Sequence, residues 1–80
     1  MSPVRKEPDK STYSGRFAIR LRSLREKAGL THEQVASELG VTANAVYRWE
    51  SDLNFPRIVL FPQIAKIYNI KRTRDLLPVD

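Results

Sequence analysis

The chain has no cysteine. Disulfides, thiolate metal ligands and a cysteine nucleophile are excluded together, and the composition suits a reducing compartment. It has one histidine, so no metal site with histidine partners can form. Its three glycines make no glycine-rich phosphate loop, and no zinc-ligand spacing or obvious carboxylate pair occurs. Nucleophilic catalysis needs an activated nucleophile with a base beside it, and that pairing is missing. An enzyme is not expected, nor a cofactor or metal. No apolar run approaches the roughly 18 residues of a membrane span. The start, "MSPVRKEPDKSTYSGR", lacks the apolar stretch of a secretory signal, so a cytoplasmic location is expected.

What is present is charge. The 80 residues carry a net +5 with a pI near 10, which suggests a polyanionic partner. The charge is unevenly spread. Residues 1–30 hold eight Lys/Arg against three acids, residues 31–55 one against four, and residues 56–80 five against two. Basic flanks therefore bracket a mildly acidic middle. If the middle reads DNA, the flanks are expected to supply most of the phosphate attraction.

The remainder reads as short helices. Residues 1–14 are polar, with Pro3 and Pro8, and are expected to be a flexible basic arm carrying Arg5, Lys6 and Lys10. From Arg16, the residues Phe17, Leu21, Leu24 and Ala28 share one helical face, and Gly29 is a stop. Thr31 and Gln34 make a capping box for a second helix, with Val35, Ala36 and Leu39 inward and Gly40 ending it. Only Gly40, Val41 and Thr42 separate it from a third helix, which Thr42 caps and which ends near Ser51. So short a link forces a sharp angle, as in a helix-turn-helix. Val46 and Trp49 face the core. Asn54, Phe55 and Pro56 mark a loop. Pro62 suits a first helical turn, so the fourth helix either starts near Phe61 or follows a separate turn at 57–60. Its inner stripe is Ile64, Ala65 and Tyr68. A last short helix is capped by Thr73 and closed before Pro78. The expectation is an all-α bundle of four to five short helices over 15–77, with the helix-turn-helix at about 31–51 and a tail at 78–80.

The ordered set Arg25, Gly29-Leu30-Thr31, Ala36, Gly40-Val41-Thr42, Val46, Trp49-Glu50, Pro56 and Ile64-Ala65 resembles the phage-repressor helix-turn-helix family, the Xre or Cro/cI-like group. The likeness runs from Leu21 to Ile70. It implies a lambda-repressor-like DNA-binding domain whose third helix lies on DNA. It also implies a partly buried ion pair between Arg25 and Glu50, the alternative for Arg25 being a phosphate.

On the third helix, about 43–51, Ala43, Asn44, Ala45 and Arg48 are the candidate base contacts. Asn can bond adenine bidentately and Arg guanine, whereas alanine can only touch a thymine methyl. The alternative for Arg48 is a pair with Asp52. His32, Thr42, Tyr47, Asn54 and Arg57 are the candidate backbone contacts. Tyr47 can equally be an edge-packing residue. His32 stands where many members of the family have Gln, and it would make that contact sensitive to pH. One such module reads only a few base pairs, so a homodimer on a pseudo-palindromic operator in double-stranded DNA is expected. Val59, Leu60, Leu76, Leu77 and Val79 are candidate dimer residues, with core packing the alternative for the two Leu. No second domain is expected to follow and sense a ligand. The overall expectation is a repressor-like transcription regulator associated with the nucleoid. The competing reading is a protein-interaction module on the same fold: an antirepressor, antitoxin or coactivator with a protein partner.

Overall fold

The computed structural model describes residues 7–78, and these contain four α-helices, two 3-10 turns and no strand. The helices are α1 (Tyr13–Ala28), α2 (His32–Leu39), α3 (Ala43–Glu50) and α4 (Phe61–Ile67). The 3-10 turns are Ile58–Leu60, running directly into α4, and Thr73–Leu76. Both readings of Pro62 therefore hold at once: a separate turn comes first, and Pro62 sits in the first turn of α4. Thr73 is not a cap, because Arg72 occupies that place with no side-chain bond.

Side-chain caps start the first three helices. Thr12 accepts from Gly15 N, Thr31 from Gln34 N in a full capping box, and Thr42 from Ala45 N. Each satisfies a backbone donor that the first helical turn leaves open. The helices end by one repeated device, a left-handed residue followed by a bond back to the last turn. Gly29, Gly40, Asp52 and Asn69 have φ of 72°, 70°, 60° and 58°. After them Leu30, Val41, Leu53 and Ile70 donate to the carbonyls of Arg25, Ala36, Arg48 and Ala65. Asp and Asn are the non-glycine residues that enter this region most readily.

α1 starts at Tyr13, before Arg16, and the segment ahead of it is not a loose arm over its described part. Residues 9–12 form a turn, with Ser11 N and Oγ donating to Asp9 Oδ1 and Thr12 N to Asp9 O. Pro8 is buried. The turn lies so close to α1 that a Cβ on Gly15 would overlap the Asp9 carbonyl. Arg16 Nη1 donates to Lys10 O at 3.1 Å, and Arg22 Nη1 meets Glu7 Oε1 at 3.3 Å. Arg5 and Lys6, expected on the arm, lie outside the described residues, as does Val79.

The core joins Phe17, Leu21 and Leu24 of α1, Val35, Ala36 and Leu39 of α2, Val46 and Trp49 of α3, and Ile64, Ala65 and Tyr68 around α4, closed by Leu76. The inner face of α1 includes Ala18, while Ala28 at its last turn is exposed. α2 packs on α3, α1 on α3, and α4 on α2. Arg20 donates from Nε and Nη2 to the Asp75 carbonyl, tying the C-terminal turn to α1.

Candidate nucleic-acid interface

α3 divides cleanly by face. Val46, Trp49 and Glu50 point inward and are buried. Asn44, Tyr47 and Arg48 point outward and are exposed, with Thr42 exposed at the cap. This follows from the helical period, which puts 46, 49 and 50 on one side and 44, 47 and 48 on the other. Ala43 and Ala45 fall between the faces. Both are partly buried against the core, so they flank the outward face instead of standing on it.

The orientation of α3 is set by a buried charge cluster. Glu50 is 1% exposed. Arg25 of α1 grips it with two bonds, Nε to Oε2 at 2.8 Å and Nη2 to Oε1 at 3.1 Å. The remaining Nη1 donates to the Leu30 carbonyl in the α1–α2 link at 2.9 Å. One guanidinium thus fixes the last turn of α1, the entry to α2 and the end of α3, using the planar fork that makes Arg suited to bidentate pairing. The hydrogen bonds it donates to Glu50 hold Arg25 protonated even more firmly than usual. Tyr68 feels the same cluster. Burial, and then the charge of Glu50, push its phenol above the ordinary tyrosine value, with Arg25 pulling the other way.

His32 turns one ring nitrogen toward the buried cluster. Its Nε2 lies 3.1 Å from Glu50 Oε1. A carboxylate can only accept, so the Nε2–H is donated inward to Glu50, and Nδ1 is the ring nitrogen left for any outward partner. The ring also meets the Tyr47 ring, with centroids 6.0 Å apart at an interplanar angle of 75°. His32 and Tyr47 are therefore neighbours, which nothing in their 15-residue separation announces.

The loop after α3 carries Asn54 and Arg57, both exposed. Asn54 Oδ1 accepts from Phe55 N, shaping the turn. Asp52 is held by Ser14, whose hydroxyl donates to Oδ2 at 3.2 Å, and this link anchors the end of α3 to the start of α1. Among the candidate dimer residues, Val59 is exposed, Leu60 and Leu77 are half-buried, and Leu76 has no exposed surface. Leu76 is thereby corrected from dimer candidate to core, because the last 3-10 turn folds it against α1 and α4. Sequence reasoning missed Leu53, Phe55 and Ile58. Each is more than half exposed, as is Val59, so four large apolar side chains within residues 53–59 after α3 face solvent. The signal was available: "LNFPRIVL" holds five apolar residues in a stretch with no room for a helix to bury them all.

Three flanking arginines make surface contacts within the fold. Arg16, Arg20 and Arg22 hold Lys10, Asp75 and Glu7 or Glu26. Arg22 meets carboxylates, whereas the bonds of Arg16 to Lys10 and of Arg20 to Asp75 go to backbone carbonyls, which do not neutralise a charge. No group of acidic and histidine side chains among the described residues has the makings of a metal site. No helix among them is long and apolar enough to cross a membrane.

Comparison with known proteins places these features. The family model described as "Helix-turn-helix domain" matches residues 16–77. The fold is similar to the crystal structure of the restriction-modification controller protein C.AhdI from Aeromonas hydrophila. That match has a TM-score of 0.70 and 29% identity, over 78% of this chain and 92% of that one. It is also similar in fold to a hypothetical transcription factor, NHTF, from Neisseria. There the TM-score is 0.74 and the identity 19%, over 98% of this chain and 87% of that one. No curated protein matches the sequence.

Proposed function

The chain belongs to the helix-turn-helix family, in its Xre and Cro/cI-like group, and on that premise we propose that it is a sequence-specific transcription regulator that inserts α3 into the major groove of double-stranded DNA. The observation that carries this is the outward face of α3. Asn44 and Arg48 are exposed there, on a helix that the Arg25–Glu50 pair holds against α1. Asn44 and Arg48 are the base readers, with Ala43 and Ala45 allowing close approach at the flanks. Thr42, Tyr47, Asn54 and Arg57 meet the sugar-phosphate backbone. The likeness to a restriction-modification controller protein supports a regulator, and the family resemblance favours a repressor-like one.

A homodimer completes the reading. The domain extends 36 × 30 × 22 Å. Half-sites one helical turn apart are about 34–36 Å from centre to centre, a spacing of the same order as the domain itself, which supports two copies lying side by side on DNA. The exposed side chains of Leu53, Phe55, Ile58 and Val59 lie directly after α3 and supply a contact for a second copy. The same residues support a second reading, a module that holds another protein. Salt separates the two, since DNA affinity falls steeply as counterions are retained at high salt, whereas an apolar protein contact does not.

The test is selection of bound DNA from a random pool at low salt, repeated with Asn44→Ala and Arg48→Ala. The wild-type chain is expected to enrich a short pseudo-palindrome. Each variant should relax one position, by about 1–3 kcal/mol of discrimination. No enriched motif would reject DNA reading, and an unchanged motif in both variants would reject the assigned readers.

A further inference from the structure

His32 has a role that a helix-turn-helix frame does not require. It stands at the start of α2, on the side of the molecule where α3 is presented. Its side chain nonetheless keeps only about a quarter of its surface exposed, at 27%. Two contacts hold the ring. The Nε2–H is donated to Glu50 Oε1, and Glu50 is itself fixed by two bonds from Arg25. The second contact is the edge-to-face approach to the Tyr47 ring at 6.0 Å and 75°, a geometry that aromatic rings favour. Tyr47 belongs to the outward face of α3 with Asn44 and Arg48.

We propose that His32 is a positioning residue for DNA reading: anchored on Glu50, its ring holds Tyr47 in one orientation on the flank of α3, where the phenol meets a phosphate or deoxyribose. The proposal rests on the DNA-reading role of α3 and adds a partner for it. The physical reason is pre-organisation. A tyrosine has two side-chain torsions, and ordering them at the moment of binding costs affinity. Here the ordering is already done by a chain of contacts from Arg25 through Glu50 and His32 to Tyr47. The ionisable groups around the ring are Arg25 of α1, Glu50 and Tyr47 of α3, and Tyr68 beside the cluster from the end of α4. None of them can replace the imidazole as both a donor to Glu50 and a flat surface for Tyr47.

The test has two arms on the full chain. The first is a double-mutant cycle measured as affinity for the DNA motif enriched by the wild type. His32→Gln keeps an N–H donor for Glu50 and removes the ring; Tyr47→Ala removes the positioned group. Each alone is expected to weaken binding about two- to tenfold, while melting stays close to wild type for His32→Gln. The double variant should be no weaker than the weaker single one. Losses that multiply, or wild-type affinity in His32→Gln, overturn the proposal. The second arm needs no DNA. The ring signals of Tyr47 are compared by NMR in the wild type and in His32→Gln, and the wild-type ring is expected to show one ordered orientation that the variant loses. Normal DNA affinity with a Tyr47 signal indifferent to His32 overturns this inference alone. A wild-type chain with no DNA affinity overturns it together with the proposed function.

Discussion

Glu50 is the residue on which the reading surface depends, because it is a buried carboxylate at the end of the helix that carries Asn44 and Arg48. Removing one partner of a buried pair leaves the other charge without compensation, at a cost of about 3–5 kcal/mol. Glu50→Ala strands Arg25 and also deprives His32 of its acceptor. The expected result is a domain that melts far earlier or does not fold, followed by circular dichroism. A wild-type melting curve would mean that the cluster contributes nothing to stability. Glu50 at this position was legible in the sequence only through its family pattern, the Trp49-Glu50 pair facing Arg25. His32 was not legible in its true place. A single polar residue at the start of a helix reads as solvent-facing, and its contact with a carboxylate 18 residues away depends on how α2 crosses α3.

At the scale of elements, capping chemistry was the most readable feature. Thr31, Thr42 and the glycines at 29 and 40 mark their helix ends by local rules that need no tertiary context. The start of α1 was not readable in that way. Gly15 inside a first helical turn looks like a weakness, since glycine costs about 1 kcal/mol against alanine there. Its use is the close approach of the Asp9 turn, which a Cβ would obstruct. Gly15→Ala is therefore expected to destabilise the domain by about 1–3 kcal/mol, the usual cost of overpacking, in urea denaturation. Stabilisation by about 1 kcal/mol instead would mean that the turn detaches without penalty.

For the whole molecule, two expectations follow from surfaces and charges. Ile58 and Val59 are exposed and outside the core, so Ile58→Asp with Val59→Asp should leave melting unchanged within about 0.5 kcal/mol, the usual range for surface changes. Sedimentation should show the wild type dimerising as concentration rises and the variant remaining a monomer. A variant that still dimerises would place the contact elsewhere. The second concerns alkaline pH. The phenol of Tyr68 has its folded-state pKa raised from the ordinary 10.0, by burial first. The folded state thus keeps a proton that the unfolded chain gives up. The stability contributed is present below about pH 10 and is lost as pH climbs past it toward the raised value. Tyr68→Phe has no such proton, so its stability should fall less steeply above pH 10, as read from denaturation midpoints across pH 9–11. Equal slopes would show that Tyr68 is not held in the way its burial implies.

The sequence by itself determined the order of the helices, the caps of α2 and α3, the helix-turn-helix spacing and the division of α3 into an inner and an outer face. These depend on periodicity and on end chemistry within a few residues of one another. Tertiary structure decided which partners the polar groups meet. Arg16, Arg20 and Arg22 read only as basic residues in the sequence, yet Arg16 and Arg20 reach the carbonyls of Lys10 and Asp75, and Arg22 meets Glu7 and Glu26. His32 looks like a surface donor, yet it is turned to Glu50. Leu76 looks like a dimer residue, yet it closes the core. A hydrogen bond or a burial event between distant residues leaves no periodic trace. It exists only once α1, α2 and α3 have crossed at the angles their small residues and short links allow.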